Sequence, residues 1–246
     1  MEKTKKSHRG LKTALIIVLL AVAVLIIACL IYFGIYYHSV DVEKDLAGSG
    51  TVTVTEIDSG WVFDGAGTDT ALIFYPGAKV EASAYAPLML ELAESGVDCF
   101  LLKMPFRMAI FGLNRALNIV EEYEYDTWIL SGHSLGGAMA ASCAASNPGT
   151  FDVLLLLAAY PTDSLDQEGL SVLSLYGSED GVLNMDKVVS GRELMPEDYT
   201  EICIEGGNHA QFGSYGEQDG DGTAAISPEE QRQAVVDALM ELLEER

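Results

Sequence analysis

The stretch TWILSGHSLGGAMAASCAA, Thr127–Ala145, runs from an apolar, β-prone segment into one rich in small residues. At the seam Ser134 stands between Gly132 and Gly136. A G-x-S-x-G pattern is short, and a chain with 24 glycines in 246 residues can carry it by accident. Its meaning depends on context: a strand must precede the serine and a helix must follow it. Both expectations are met here by pattern. A sharp strand–helix turn exposes the hydroxyl and needs small neighbours, because a side chain at Gly132 or Gly136 would meet adjoining backbone. The same turn aims the first helical amides at the hydroxyl, so the Leu135 N–H is a candidate oxyanion donor at the positive end of the helix.

Outward from this seam the chain alternates. TVTVTEI and GWVF read as two period-2 strands joined by a turn at Asp58–Gly60, and TALIFYPG as a strand ending in Pro-Gly. SAYAPLMLELAE (83–94) has helical spacing, VDCFLLKMP is a buried strand, and LNRALNIVEEY a helix. After the helix over Leu135–Ser146, FDVLLLLAAY and SVLSLYG are strands, a short helix covers 185–194, and YTEICIEGG is the last strand. A helix over 228–244 closes the chain, with Ser227 as cap and Glu230 at its third position. Short apolar strands alternating with helices predict an α/β fold, a mostly parallel twisted sheet with helices on both faces. Chemistry in such sheets gathers beyond the carboxyl ends of the strands.

A serine hydroxyl needs a base. Of four histidines, His8 and His38 belong to the N-terminal region, and His133 lies inside the turn, its side chain directed away from its neighbour's. His209 in CIEGGNHAQFG, just past the last strand, is the candidate base. The acid that orients it is expected at another strand end. Asp180 in LYGSEDGV is the leading candidate, with Asp163 in YPTD and then Glu179 as alternatives.

The order Ser134, Asp180, His209 matches that of α/β hydrolases. From Thr51 to the C-terminus the sequence resembles a small α/β hydrolase of the dienelactone-hydrolase-like esterase type, on GHSLGG, GSED, GGNHAQFG and FYPGAKVEASAYAPLM. The resemblance implies a second oxyanion donor in the loop after the third strand, the Ala78 N–H. The chain departs from the family there, with Tyr75-Pro76-Gly77 in place of the usual His-Gly pair. In this fold a lid is usually inserted after the sixth strand. PTDSLDQEGL leaves only a short connection there, so no sizeable cap domain is expected and the site is open.

The N-terminal region is a separate object. Residues 1–13 are basic, and Ala14–Tyr37 runs 24 residues without a charge, enough at about 1.5 Å per residue to cross a ~30 Å hydrocarbon core. The expected organisation is a cytoplasmic tail (1–13), a transmembrane helix (14–37), a linker (38–50) and a hydrolase domain (51–246) outside the cytoplasm. Two alternatives are a cleaved signal peptide and lipidation at Cys29, whose IIAC context resembles a bacterial lipobox. Five of the 14 basic residues lie in the first twelve positions, leaving nine against 36 acids, a net charge of −27. Such a surface repels nucleic acid. Cys99, Cys143 and Cys203 sit in apolar segments and are expected as buried free thiols. DGDG (219–222) lacks the ligand spacing of a calcium loop and reads as a surface loop. PFRMAIFG (105–112) either lines an acyl pocket or packs beneath a helix. No metal site or nucleotide cofactor is expected.

Taken together, the sequence predicts a membrane-anchored serine hydrolase cleaving a small or exposed carboxylic ester. The same machinery also serves thioester or amide hydrolysis and acyl transfer, and the fold can persist as a non-catalytic binding protein. Sequence leaves these, the substrate and the oligomeric state open.

Overall fold

The computed structural model describes residues 3–67 and 69–246, with side chains from residue 11 onward. It divides into two units, residues 1–36 and 37–246. The first is one helix, α1 (Lys3–Gly34). Its segment Leu11–Gly34 has a mean hydropathy of 3.5 and is long and apolar enough to cross a membrane, a property that a signal sequence shares. The helix stops three residues short of the expected Tyr37.

Residues 37–50, expected as a linker from 38 onward, belong to the second unit. The Tyr37 N–H donates to the Lys79 carbonyl and the Tyr37 carbonyl accepts from Glu81, each bond within 2.9 Å. α2 (Glu43–Leu46) follows, and Val42 and Val52 are buried in the core. Apolar side chains at these two positions explain the packing: leaving the segment loose would expose them.

The remaining elements are β1 (Thr53–Ile57), β2 (Gly60–Asp64), β3 (Thr70–Tyr75), α3 (Ala86–Glu94), β4 (Asp98–Leu102), α4 (Arg115–Glu122), β5 (Thr127–His133), α5 (Leu135–Ser146), β6 (Val153–Leu157), β7 (Ser171–Gly177), α6 (Met185–Gly191), β8 (Tyr199–Ile204) and α7 (Pro228–Glu244). They build an eight-stranded sheet in the order β1-β2-β4-β3-β5-β6-β7-β8. β1–β2 and β2–β4 pair antiparallel and every other neighbouring pair is parallel. Residues 83–85, expected as the helix start, belong to a separate 3₁₀ turn, Ala82–Tyr85, because Pro87 suits only the first turn of α3.

Alternation along the strands divides the core. In β3, Leu72 and Phe74 join the layer that includes Leu88, Leu92, Val235 and Leu239 of α3 and α7. Ala71, Ile73 and Tyr75 join the layer with Ala116, Ile119, Ala140 and Ala144 of α4 and α5. Both faces are covered, which is why the central strands are apolar throughout. β8 is one of the two edge strands, and there Cys203 is exposed rather than buried as expected; Cys99 and Cys143 are buried. The Ser227–Glu230 capping box opens α7 as expected.

One topological fact positions the site. From β3 the chain steps to β4 on one side, then crosses back through α4 to β5 on the other. A crevice opens beyond the carboxyl ends of strands at such a switch point. The loop after β3 and the turn after β5 meet there. Only residues 158–170 link β6 to β7, without a helix, so no cap domain covers it.

Candidate active site

Ser134 adopts φ 53°, ψ −124°, a region that an L-residue occupies only under strain. Its N–H donates to Leu157 O at 2.9 Å and its carbonyl accepts from Ala138 at 3.0 Å, so strand and helix hold it from both sides. The flanking glycines are required by space. A Cβ on Gly132 would lie 2.5 Å from Gly136 C, and one on Gly136 would lie 2.1 Å from Tyr75 O and 2.4 Å from Pro76 O. The loop after β3 therefore rests on the first turn of α5.

That contact brings the loop carrying Ala78 up to the turn carrying Leu135. Gly77 N–H donates to Tyr85 Oη at 3.1 Å and Lys79 N–H to Arg107 O at 2.9 Å. Among the described residues neither the Ala78 nor the Leu135 N–H has a backbone acceptor. These are the two amides singled out in the sequence as oxyanion donors.

His209 follows β8 and is 1% exposed. Its Nδ1 lies 2.8 Å from Asp180 Oδ2, and both side chains are 1% exposed. A carboxylate only accepts, so Nδ1 carries the proton and donates it, leaving the Nε2 lone pair as the basic site. Asp180 Oδ1 accepts from Val182 N–H at 2.9 Å and Leu183 N–H at 2.7 Å, which fixes the carboxylate. The alternatives for the acid sit elsewhere: Asp163 accepts from Ser142 and Thr162, and exposed Glu179 from Ser178. Ser134, Leu135 and His209 line one cavity of about 240 Å³, walled by Ala138, Ala158, Ala159, Tyr160, Val182 and Leu183. Ala158, at φ 48°, ends β6 short of the expected Tyr160 and turns the chain into this wall.

His133 has a role that its place in the turn did not reveal. Its ring centroid lies 4.4 Å from that of His209 and 5.5 Å from that of Phe212. Tyr85 Oη, which receives the Gly77 N–H, lies 2.8 Å from His133 Nδ1. Burial, and then the neighbouring His209, hold the His133 pKa well below the ordinary 6.5. Tyr85 gave no sequence signal, since a tyrosine in an apolar helical run reads as core.

One motif left undecided by sequence, PFRMAIFG, and one read as a surface loop, DGDG, are also placed. PFRMAIFG is only partly covered: Ala109 is buried in the layer with Ala140 and Ala144 of α5, whereas Phe106, Ile110 and Phe111 are 61%, 55% and 55% exposed. Phe106 and Arg107 instead wall a second cavity of about 340 Å³ with Trp61, Pro76 and Met104. The DGDG segment is built into the site, with Asp221 bonded to the backbone of His209. Its glycine-rich composition had suggested only a loop. Among the described residues no cluster of metal-ligating side chains occurs.

Comparisons agree with this architecture. Residues 71–233 match the model of the alpha/beta hydrolase family. Est1E from Butyrivibrio proteoclasticus superposes with a TM-score of 0.56 at 15% identity, over 79% of this chain and 99% of that one. A CIB-like hydrolase from Thermoplasma acidophilum gives 0.54 at 16% identity over 76% and 98% of the two chains. Mouse alpha/beta hydrolase domain-containing protein 10 gives 0.54 at 13% over 80% and 99%. In sequence, 103 residues are 30% identical to a protein of Mycobacterium phage D29 named as a non-heme haloperoxidase, a match over 38% of this chain and 37% of the relative. The chain thus spans little more than a third of that relative's length. With two-thirds of its length matched by the family model and its sheet shared with solved hydrolases, the chain belongs to the alpha/beta hydrolase family.

Proposed function

We propose that this hydrolase cleaves a carboxylic ester through an acyl-enzyme on Ser134. The observation that carries the reading is the His209–Asp180 bond beside a serine strained at a strand–helix turn, with Ser134 and His209 lining one cavity. His209 Nε2 takes the Ser134 proton as Oγ attacks the carbonyl. Asp180 holds the imidazolium that forms. The Leu135 and Ala78 amides receive the oxyanion, aided by the α5 N-terminus. The alkoxide leaves with the proton from His209, and His209 then activates water to release the acid.

A cavity of about 240 Å³ is below the ~300–1,000 Å³ of sites for drug-sized ligands, which favours a small acyl or alcohol group. Thioester or amide cleavage, or transfer to another acceptor, remains the second reading, because the same groups serve it. The helix Leu11–Gly34 anchors the enzyme in the membrane in this proposal, with the basic tail cytoplasmic and residues 37–246 outside.

The test is labelling of the full chain in detergent with a fluorophosphonate, alongside turnover of p-nitrophenyl acetate and longer esters. Label on Ser134, absent in Ser134→Ala, together with a fall in kcat of roughly 10⁴-fold or more supports the assignment. Retained turnover in Ser134→Ala refutes it. Ester hydrolysis outpacing that of matched thioesters and amides separates the first reading from the second.

A further inference from the structure

Asp221 lies in the short glycine-rich segment before α7, outside the three residues proposed for catalysis. We infer that Asp221 is a positioning residue that locks the loop carrying Asp180 to the loop carrying His209. Its carboxylate accepts four backbone N–H bonds: Oδ1 from Gly181 (3.1 Å), His209 (3.2 Å) and Gly222 (2.8 Å), and Oδ2 from Ala210 (2.8 Å). Gly181 adjoins the acid, and His209 is the base itself. One side chain therefore spans the two loops whose separation sets the Asp180–His209 bond.

The surrounding contacts show that this segment is fitted between those loops. A Cβ on Gly222 would lie 1.9 Å from Glu179 O, and one on Gly181 would lie 2.5 Å from Gly220 O. Backbone meets backbone there, so only glycine allows the approach. On the other side Asn208 Nδ2 donates to Gly222 O at 2.9 Å. Gln231 of α7 completes the frame, accepting from Asn208 N–H at 2.9 Å and donating to its carbonyl at 2.8 Å. A carboxylate surrounded by four N–H donors is arranged to organise backbone rather than bind a cation.

The consequence for turnover rests on the triad reading, but the geometric claim is measured without it. The His209 Nδ1 proton, shared with Asp180, gives a low-field ¹H NMR signal, assigned by its loss in His209→Gln. Asp221→Ala removes all four acceptor contacts. Asp221→Asn keeps the oxygen at the Oδ1 position, which takes three of them, and loses that to Ala210. In full-length protein in detergent, Asp221→Ala is expected to lose or broaden this signal and to lower kcat on p-nitrophenyl acetate by ~100-fold, since small misplacements of catalytic groups carry that penalty. KM is expected to change by less than about threefold, as binding energy common to ground and transition state is untouched. Asp221→Asn is expected to keep the signal and lose less than about tenfold in kcat.

An unchanged signal in Asp221→Ala overturns the inference, whether or not the variant melts earlier, because the residue then acts only as scaffold. If Asp221→Ala does not fold, Asp221→Asn decides: a signal and kcat as low as those of His209→Gln overturn the graded account of the contacts. If the wild type turns over no ester while Asp221→Ala still abolishes the signal, the positioning role stands and the esterase reading fails.

Discussion

Replacing Ser134 with glycine is expected to make the protein more stable while removing its nucleophile. Ser134 is held at φ 53°, ψ −124° by the Leu157 carbonyl on one side and the Ala138 amide on the other. For an L-residue such a conformation costs about 1–3 kcal/mol, which glycine escapes. Glycine also gains freedom in the unfolded chain, an opposing cost of ~0.5–1 kcal/mol. The balance favours glycine by up to about 2.5 kcal/mol, with ~1 kcal/mol at mid-range. Ser134→Ala is the reference, since it removes the hydroxyl and retains the Cβ. For a domain of this size, a stability gain of ~1 kcal/mol raises Tm by about 2–4 °C. Calorimetry of the two full-length variants in one detergent should place Ser134→Gly a few degrees above Ser134→Ala, with both inactive. A Ser134→Gly melting point equal to or below that of Ser134→Ala refutes the claim that the turn stores strain.

Two further outcomes are specific. His133 is buried with its folded pKa depressed below 6.5, so the unfolded chain takes up a proton that the folded one refuses as pH falls. Stability is then fully present above pH 6.5 and declines below it, at a rate approaching ~1.4 kcal/mol per pH unit; urea unfolding of wild type and His133→Asn between pH 7.5 and 5.5 should show a shallower slope in the variant. Ala138→Leu adds bulk to the 240 Å³ cavity. It should reduce kcat/KM for p-nitrophenyl butyrate at least ~10-fold more than for the acetate, one to two methylenes being worth that much, and equal losses on both esters would place the acyl group elsewhere.

Sequence by itself settled the α/β class, the strand–helix turn at Ser134 and its two obligatory glycines, because these follow from local physics. Apolar runs must be buried, and a strand that turns sharply into a helix tolerates no side chain at Gly132 or Gly136. It also named Ser134, His209 and Asp180, though with Asp163 and Glu179 still open. Only tertiary structure closed that choice of His209's neighbour, since proximity between residues 29 positions apart is not written in either segment. The same holds for Tyr85, which reads as core until its hydroxyl is found between Gly77 and His133. Asp221 reads as loop until the backbone amides of two other loops converge on it. Residues 37–50 read as linker until their apolar side chains are seen in the core, and Cys203 as buried until β8 proves to be a sheet edge. Periodicity reports how each segment prefers to be solvated, whereas which segment supplies the partner depends on a chain path that crosses back over β3.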